Sequence, residues 1–193
     1  LGVSSALATY EVREEALNIA RFCYRAGDLT TSGTGNAAKI ETRNIAEANN
    51  IKSALTFLDP FVVDYLRDGL TETIGTGIDL LFCNEDEALS YTQKNSVDEA
   101  IDVIRTFSKT FAITLGAKGA VVYDGSNLIN IDAHPVKAID TNGAGDLFAG
   151  AFMYGLTHGK NFEEAGILAS KASSIIVSQF GPRLKLEQYQ SLN

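Results

Sequence analysis

The stretch Asp140–Asp146, Asp-Thr-Asn-Gly-Ala-Gly-Asp, carries the residue types best suited to chemistry in this chain. It leads directly into the apolar segment Leu147–Met153, which predicts a buried helix with a firmly held N-terminus. Backbone N–H groups at such a terminus favour a phosphate or an oxyanion, and the small residues at 143–145 allow close approach. Asp146 can accept a proton from a substrate hydroxyl. The stretch is therefore suited to phosphoryl transfer onto an alcohol.

The same residues also have a purely structural interpretation. Glycine and aspartate are frequent in turns, and Asp146 can serve simply as a helix cap. The two interpretations differ in whether turnover depends on Asp146.

The whole string resembles the second signature of the PfkB carbohydrate kinase family, which includes relatives of ribokinase and adenosine kinase. That signature reads D-T-x-G-A-G-D, and every specified position matches. The resemblance implies that Asp146 is the catalytic base and that Gly143, Ala144 and Gly145 form an anion hole. It further implies ATP, Mg²⁺ and a ribokinase-like three-layer α/β/α fold with a mainly parallel central sheet.

A second polar segment, Asn84–Glu87, follows directly on the apolar residues at 80–83. Taken alone, it predicts an Asn N-cap with acidic residues in the first helical turn. Loops beyond strand ends also collect ligands in α/β sheets, and oxygen ligands suit Mg²⁺. The segment resembles the family's N-x-x-E motif, which implies that Asn84 and Glu87 organise Mg²⁺ and phosphate through water.

Nucleotide contacts are expected from three further places. Thr114–Gly119 resembles the family's T-x-G-x-x-G loop, although most such turns are only turns. The resemblance implies nucleotide contacts from this loop, from the signature and from the helix after it, at Thr114, Gly116, Lys118, Gly119, Asn142 and Ser170. For Ser170, a role in the helix core is the alternative. Family members that bind a monovalent cation such as K⁺ suggest a cation beside Asp140.

Composition limits the classes of function. The chain has 193 residues, 45% hydrophobic and 21% charged, as expected for a globular protein with a sizeable core. Sixteen basic and twenty-four acidic residues give a net charge of −8, which argues against a nucleic-acid partner. No apolar run or signal peptide points to a membrane. Cys23 and Cys83 are too few for a disulfide framework or a zinc site, so we expect a reducing cytoplasm.

Strand-like and helix-like segments alternate along the chain. Short apolar runs predict strands at 54–58, 78–83, 111–115, 120–124 and 128–131. Periodic apolar residues predict helices at 11–24, 37–49, 61–73, 84–91, 97–109, 146–158 and 162–178. Residues 26–36 are rich in Gly and Thr and predict a loop. The alternation favours a parallel sheet covered by helices on both faces, with local antiparallel strands at 111–131.

The family resemblance is clear over residues 51–184. We expect one ribokinase-like domain over residues 1–193 that lacks much of the family's N-terminal acceptor segment and lid. The acceptor is expected to be a small sugar or nucleoside, such as adenosine or ribose, and relatives often form homodimers. A non-catalytic nucleotide-binding remnant is an alternative function.

A dinucleotide-binding protein is the other alternative. Gly33-Thr34-Gly35, continued to Ala38, fits G-x-G-x-x-A, and a helix, a strand and Asp59 follow. That fingerprint requires a buried strand leading straight into its first glycine. Residues 25–32 do not form such a pattern, so the match carries little weight.

Overall fold

The computed structural model describes residues 8–9, 33–57, 60–190 and 192. The helix expected at 11–24 and the acidic residue Asp59 lie outside these residues. The chain divides into two compact units, the first ending at Phe111 and the second starting at Ala112. That the whole chain forms one domain stays a prediction.

In the first unit, strands alternate with helices. Its elements are β1 (Ala8–Thr9), α1 (Gly33–Ala48), β2 (Ser53–Thr56), α2 (Pro60–Tyr65), α3 (Arg67–Ile74), β3 (Ile78–Asn84), α4 (Glu85–Thr92), α5 (Val97–Ile104) and the first part of β4 (Ser108–Thr114). The strand order is β1-β2-β3-β4, with β1–β2 antiparallel and β2–β3 parallel. Leu55, Leu80 and Leu81 are fully buried in these strands. Their continuous apolar character is that of a sheet covered on both faces.

The second unit places two long helices against an antiparallel pair of strands. β4 continues into it, and β5 (Ala120–Tyr123), β6 (Leu128–Ile131), α6 (Ala144–Thr157), α7 (Phe162–Val177) and α8 (Leu186–Gln190) follow. The strand order is β4-β5-β6, with Val121 opposite Asn130 in the antiparallel pair β5–β6. A Cβ atom on Gly155 of α6 would lie 3.0 Å from the Cβ of Ala165 in α7. The glycine therefore lets the two helices pack closely.

The alternation of strands and helices is confirmed, while several expected boundaries are wrong. The helix expected at 97–109 ends at Ile104, because Lys109 and Thr110 belong to β4 and bond to Asp79 of β3. The helix expected at 61–73 is two helices, α2 and α3. The signature helix begins at Ala144 rather than at Asp146. Helix α8 was not predicted.

The loop expected up to Asn36 is also corrected. Gly33–Asn36 form the first turn of α1, so these glycines lie inside a helix. The dinucleotide alternative therefore loses the loop on which it depended. Within the described part of the chain, no helix is both long and apolar enough to cross a bilayer.

Candidate active site

Helix α6 begins at a glycine that no other residue can easily replace. Gly143 is the N-cap, and its φ of 78° places it in the left-handed region. A Cβ atom there would lie 2.8 Å from the Cβ of Pro182. The sharp turn and the close contact with the chain after α7 thus both require glycine.

The first turn of α6 leaves backbone donors open. Ala144 N–H donates to Thr141 O at 3.2 Å, whereas the N–H groups of Gly145 and Asp146 meet no acceptor in the described part of the chain. A Cβ atom on Gly145 would meet nothing within 4 Å. An anion therefore has both room and two unpaired donors at the positive end of the helix dipole.

Asp146 occupies the third position of α6, beside these donors. No side-chain bond caps the start of this helix. The interpretation of Asp146 as a structural cap requires such a bond. Partial burial of the carboxyl raises its pKa above the ordinary value of 3.8. The carboxylate is thus a stronger base than a fully solvated aspartate.

Asp140 ties the loop before α6 to the chain after α7. One carboxylate oxygen accepts from Asn142 N–H and the other from Gly181 N–H, both at 3.0 Å. These two bonds, the first being the larger cause, lower the pKa of Asp140. Ile139 N–H adds a bond of 2.7 Å to Val177 O at the end of α7. The loop is consequently held at both ends before the helix starts.

A cavity of about 530 Å³ lies beside this helix start and wholly within the second unit. Its walls come from the end of β4 and the following turn, the loop at 133–138, the first turn of α6 and one face of α7. Phe148 and Val177 make part of the lining apolar, and serine hydroxyls interrupt it. An apolar cavity of this size with a few polar groups is suited to a heteroaromatic ring, with phosphates at the helix start.

The structure brings four of the six expected nucleotide contacts to this cavity, which are Thr114, Gly116, Gly119 and Ser170. Two of the expected anion-hole residues, Ala144 and Gly145, line it as well. Ser170 is 8% exposed, and its hydroxyl donates to Asp132 O at 2.8 Å. Lys118, Asn142 and Asp146 are not among the lining residues. Asn142 instead contributes its backbone N–H to the turn that Asp140 closes.

Several lining residues were not predicted. Ser173 and Ser174 lie one turn beyond Ser170 on the same face of α7. Spacings of three and four along a helix could have grouped these serines. His134 is exposed and also lines the cavity. Only the course of the loop at 133–138 places it there.

Asn84 and Glu87 lie in the first unit and form a complete capping box. The Asn84 side chain accepts from Glu87 N–H at 2.8 Å, and the Glu87 carboxylate accepts from Asn84 N–H at 2.9 Å. Glu87 is 5% exposed. Burial first, and the Glu87 charge second, raise the pKa of the neighbouring Cys83 thiol. The expected N-cap is therefore present, and the metal role stays a prediction.

The fold and the site together define an α/β protein with an open helix N-terminus beside a nucleotide-sized cavity. The family model described as pfkB family carbohydrate kinase matches residues 2–188. The chain belongs to this family. The expected family and the ribokinase-like α/β fold are thereby confirmed.

Individual relatives agree with this assignment. A ribokinase from Haemophilus influenzae is 32% identical over 197 residues, covering 98% of this chain and 60% of that protein. A solved adenosine kinase from Sinorhizobium meliloti is 33% identical with a TM-score of 0.75, covering 80% of this chain and 48% of that one. An E. coli protein assigned as a ribokinase II, in complex with ATP and Mg²⁺, shares the fold at 22% identity and a TM-score of 0.74, covering 84% and 55%. The chain thus spans about half to three fifths of the length of these relatives.

Proposed function

We propose that the protein containing this chain transfers the γ-phosphoryl group of ATP to a hydroxyl group of a sugar or nucleoside. The proposal rests on the open start of α6. Unpaired N–H groups lie there next to a carboxylate that makes no cap bond, and both lie beside the cavity. Family membership supports it, because the matching family model is described as a carbohydrate kinase family.

In this proposal the start of α6 carries out the chemistry. The N–H groups of Gly145 and Asp146 stabilise charge that develops on the phosphoryl oxygens, and Gly143 and Ala144 shape the anion hole. The Asp146 carboxylate takes the proton of the attacking hydroxyl as the new O–P bond forms. Positioning and electrostatics supply the acceleration, so no covalent enzyme intermediate is needed.

The apolar end of the cavity is proposed to hold the adenine ring. Thr114, Gly116, Gly119 and Ser170 line it, and Lys118 and Asn142 lie on the segments that border it. The neighbour solved with ATP supports this choice of nucleotide.

Mg²⁺ is proposed as the cofactor that neutralises the phosphate charge when it is bound. The carboxylate oxygens of Glu87 and the amide oxygen of Asn84 each accept a hydrogen bond within the capping box. Because a carbonyl oxygen has two lone pairs, the amide oxygen of Asn84 can still accept from a metal-bound water. The donor set thus fits an indirect role. A monovalent cation beside the ionised Asp140 is a further part of the proposal.

The acceptor class is proposed from relatives named ribokinase and adenosine kinase. We also propose a single ribokinase-like domain, a cytoplasmic location and a homodimer. The sharpest test is a screen of ATP consumption by the full-length protein against adenosine, ribose and fructose in the presence of Mg²⁺. Acceptor-dependent ADP formation, lost in Asp146→Asn, is the expected result. ATP binding without transfer to any acceptor would instead indicate a non-catalytic remnant, and NAD binding without ATP binding would overturn the proposal.

A further inference from the structure

Ser173 makes a contact that links the far wall of the cavity to the anion hole. It lies in the middle of α7, and its hydroxyl donates a hydrogen bond of 3.2 Å to the carbonyl oxygen of Ala144. A carbonyl oxygen only accepts, so the hydroxyl proton is committed to this bond. The contact joins residues 29 positions apart in the sequence.

The peptide unit that receives this bond is one that the anion hole uses. The carbonyl of Ala144 and the N–H of Gly145 belong to the same planar trans peptide and point in opposite directions. A hydrogen bond to the carbonyl therefore fixes the direction of the Gly145 N–H group. It also polarises the peptide, which strengthens the donor at its other end.

Other contacts between the same two segments fix only the loop that precedes the helix. Ile139 and Asp140 bond through their N–H groups to Val177 O, and Gly181 N–H bonds to the Asp140 carboxylate. Ser173 is the cavity-lining serine whose hydroxyl reaches α6 itself; the hydroxyls of Ser170 and Ser174 bond to Asp132 O and Lys171 O.

We propose that Ser173 is a positioning residue for phosphoryl transfer, which holds and polarises the Ala144–Gly145 peptide so that the Gly145 N–H meets the transferred phosphoryl group. This inference rests on the proposed function. The bond is made before any ligand binds, so it preorganises the donor rather than adding a contact to ATP. Its loss should therefore lower kcat and leave the KM for ATP unchanged.

The kinetic test compares three single variants of the full-length protein, with Mg²⁺-ATP and whichever of adenosine, ribose or fructose it phosphorylates. Ser173→Ala should lower kcat about threefold to tenfold, the range for one net hydrogen bond, with KM for ATP within about twofold. Ser173→Thr keeps the hydroxyl and should restore kcat. Ser178→Ala is the matched control, because this serine follows directly on α7, its exposed hydroxyl bonds to Ile175 O, and it does not line the cavity.

A second measurement tests the contact without turnover. In the ligand-free protein, the amide resonance of Gly145 should shift in Ser173→Ala and stay in place in Ser178→Ala, because the first variant alone removes the bond to its peptide unit. An unchanged resonance, an unchanged kcat, or an equal loss in Ser173→Ala and Ser173→Thr overturns the positioning role. If the wild-type protein phosphorylates none of the three acceptors, the proposed function fails and the role of Ser173 in catalysis falls with it. The Gly145 shift still shows in that case whether the contact exists.

Discussion

Two helix starts in this protein place an acidic residue at the same position and use it in opposite ways. At α4 the N-cap is Asn84 and the third helical residue is Glu87; at α6 they are Gly143 and Asp146. The first pair forms a closed capping box, as Asn161 and Glu164 do at α7. At α6 no cap bond forms, because glycine has no side chain to accept from the third N–H. The N-cap residue thus decides whether the donors and the acid stabilise the helix or stay open to a ligand.

The largest expected effect comes from the acid of the open start. Asp146→Asn keeps the shape but removes the base, so turnover of the full-length protein with ATP and its acceptor should fall by about 10²–10⁴. Affinity for ATP should change little, because the side chain is not among those lining the cavity. Steady-state kinetics and titration calorimetry measure the two quantities. Unchanged turnover would leave Asp146 without a chemical role and remove the contrast with Glu87.

The next effect separates stability from function at Gly145. A methyl group there meets no protein atom within 4 Å, and alanine favours a helix over glycine by about 0.5–1 kcal/mol. Gly145→Ala should therefore raise the thermal unfolding midpoint slightly. The methyl group enters the space proposed for phosphate, so turnover should fall by about 10–100-fold, as for a small misplacement of reacting groups. A variant that is both more stable and fully active contradicts the proposed phosphate position.

Substitutions at the two closed helix starts should mainly lower the free energy of unfolding. Asn84→Ala and Asn161→Ala each remove the same capping interaction, at a cost of about 0.5–2 kcal/mol. Denaturant unfolding of the two variants compares them directly. If Asn84 also organises Mg²⁺, only Asn84→Ala should raise the Mg²⁺ concentration needed for half-maximal turnover. Equal Mg²⁺ dependence in both variants would assign Asn84 to capping alone.

The smallest effect concerns the pH dependence of stability. Burial raises the pKa of Asp146, so the folded state binds this proton more readily than the unfolded state does. The ionised carboxylate destabilises the folded state. This destabilisation is absent below the pKa of Asp146 in the unfolded state, near 3.8, and is fully present above its raised pKa in the folded state. Asp146→Asn should therefore raise the unfolding midpoint slightly at pH 7, and the gain should vanish toward pH 3. A gain that is the same at both pH values would show that the charge is not its cause.

Much of the open start was predictable from the sequence because its information is local. The glycines, the alanine between them and the acid all stand in the string at 140–146, although the predicted start of α6 was two residues late. The following apolar run predicts the burial of α6. The N-cap role of Asn84 was predicted in the same way, whereas the bond that the Glu87 carboxylate accepts in return was not. The family and the α/β class were predicted for the same reason.

Long-range pairing explains the predictions that failed. Phe107 continues the apolar period of α5, whereas the bonds of Lys109 and Thr110 to Asp79 belong to a strand that has already begun at Ser108. Likewise, Gly33–Asn36 have a composition typical of loops yet form the first turn of α1. Local composition does not indicate which distant residues a segment will contact.

By itself, the sequence determined the family, the alternation of strands and helices and the residue types at the open helix start, because these depend on neighbours along the chain. The tertiary structure decided that Pro182 abuts Gly143, that Gly181 closes the turn at Asp140 and that Ser173 reaches Ala144. Each of these contacts joins residues about 30 to 40 positions apart. Their geometry follows from the packing of α7 and the chain after it against the start of α6, which no local pattern encodes.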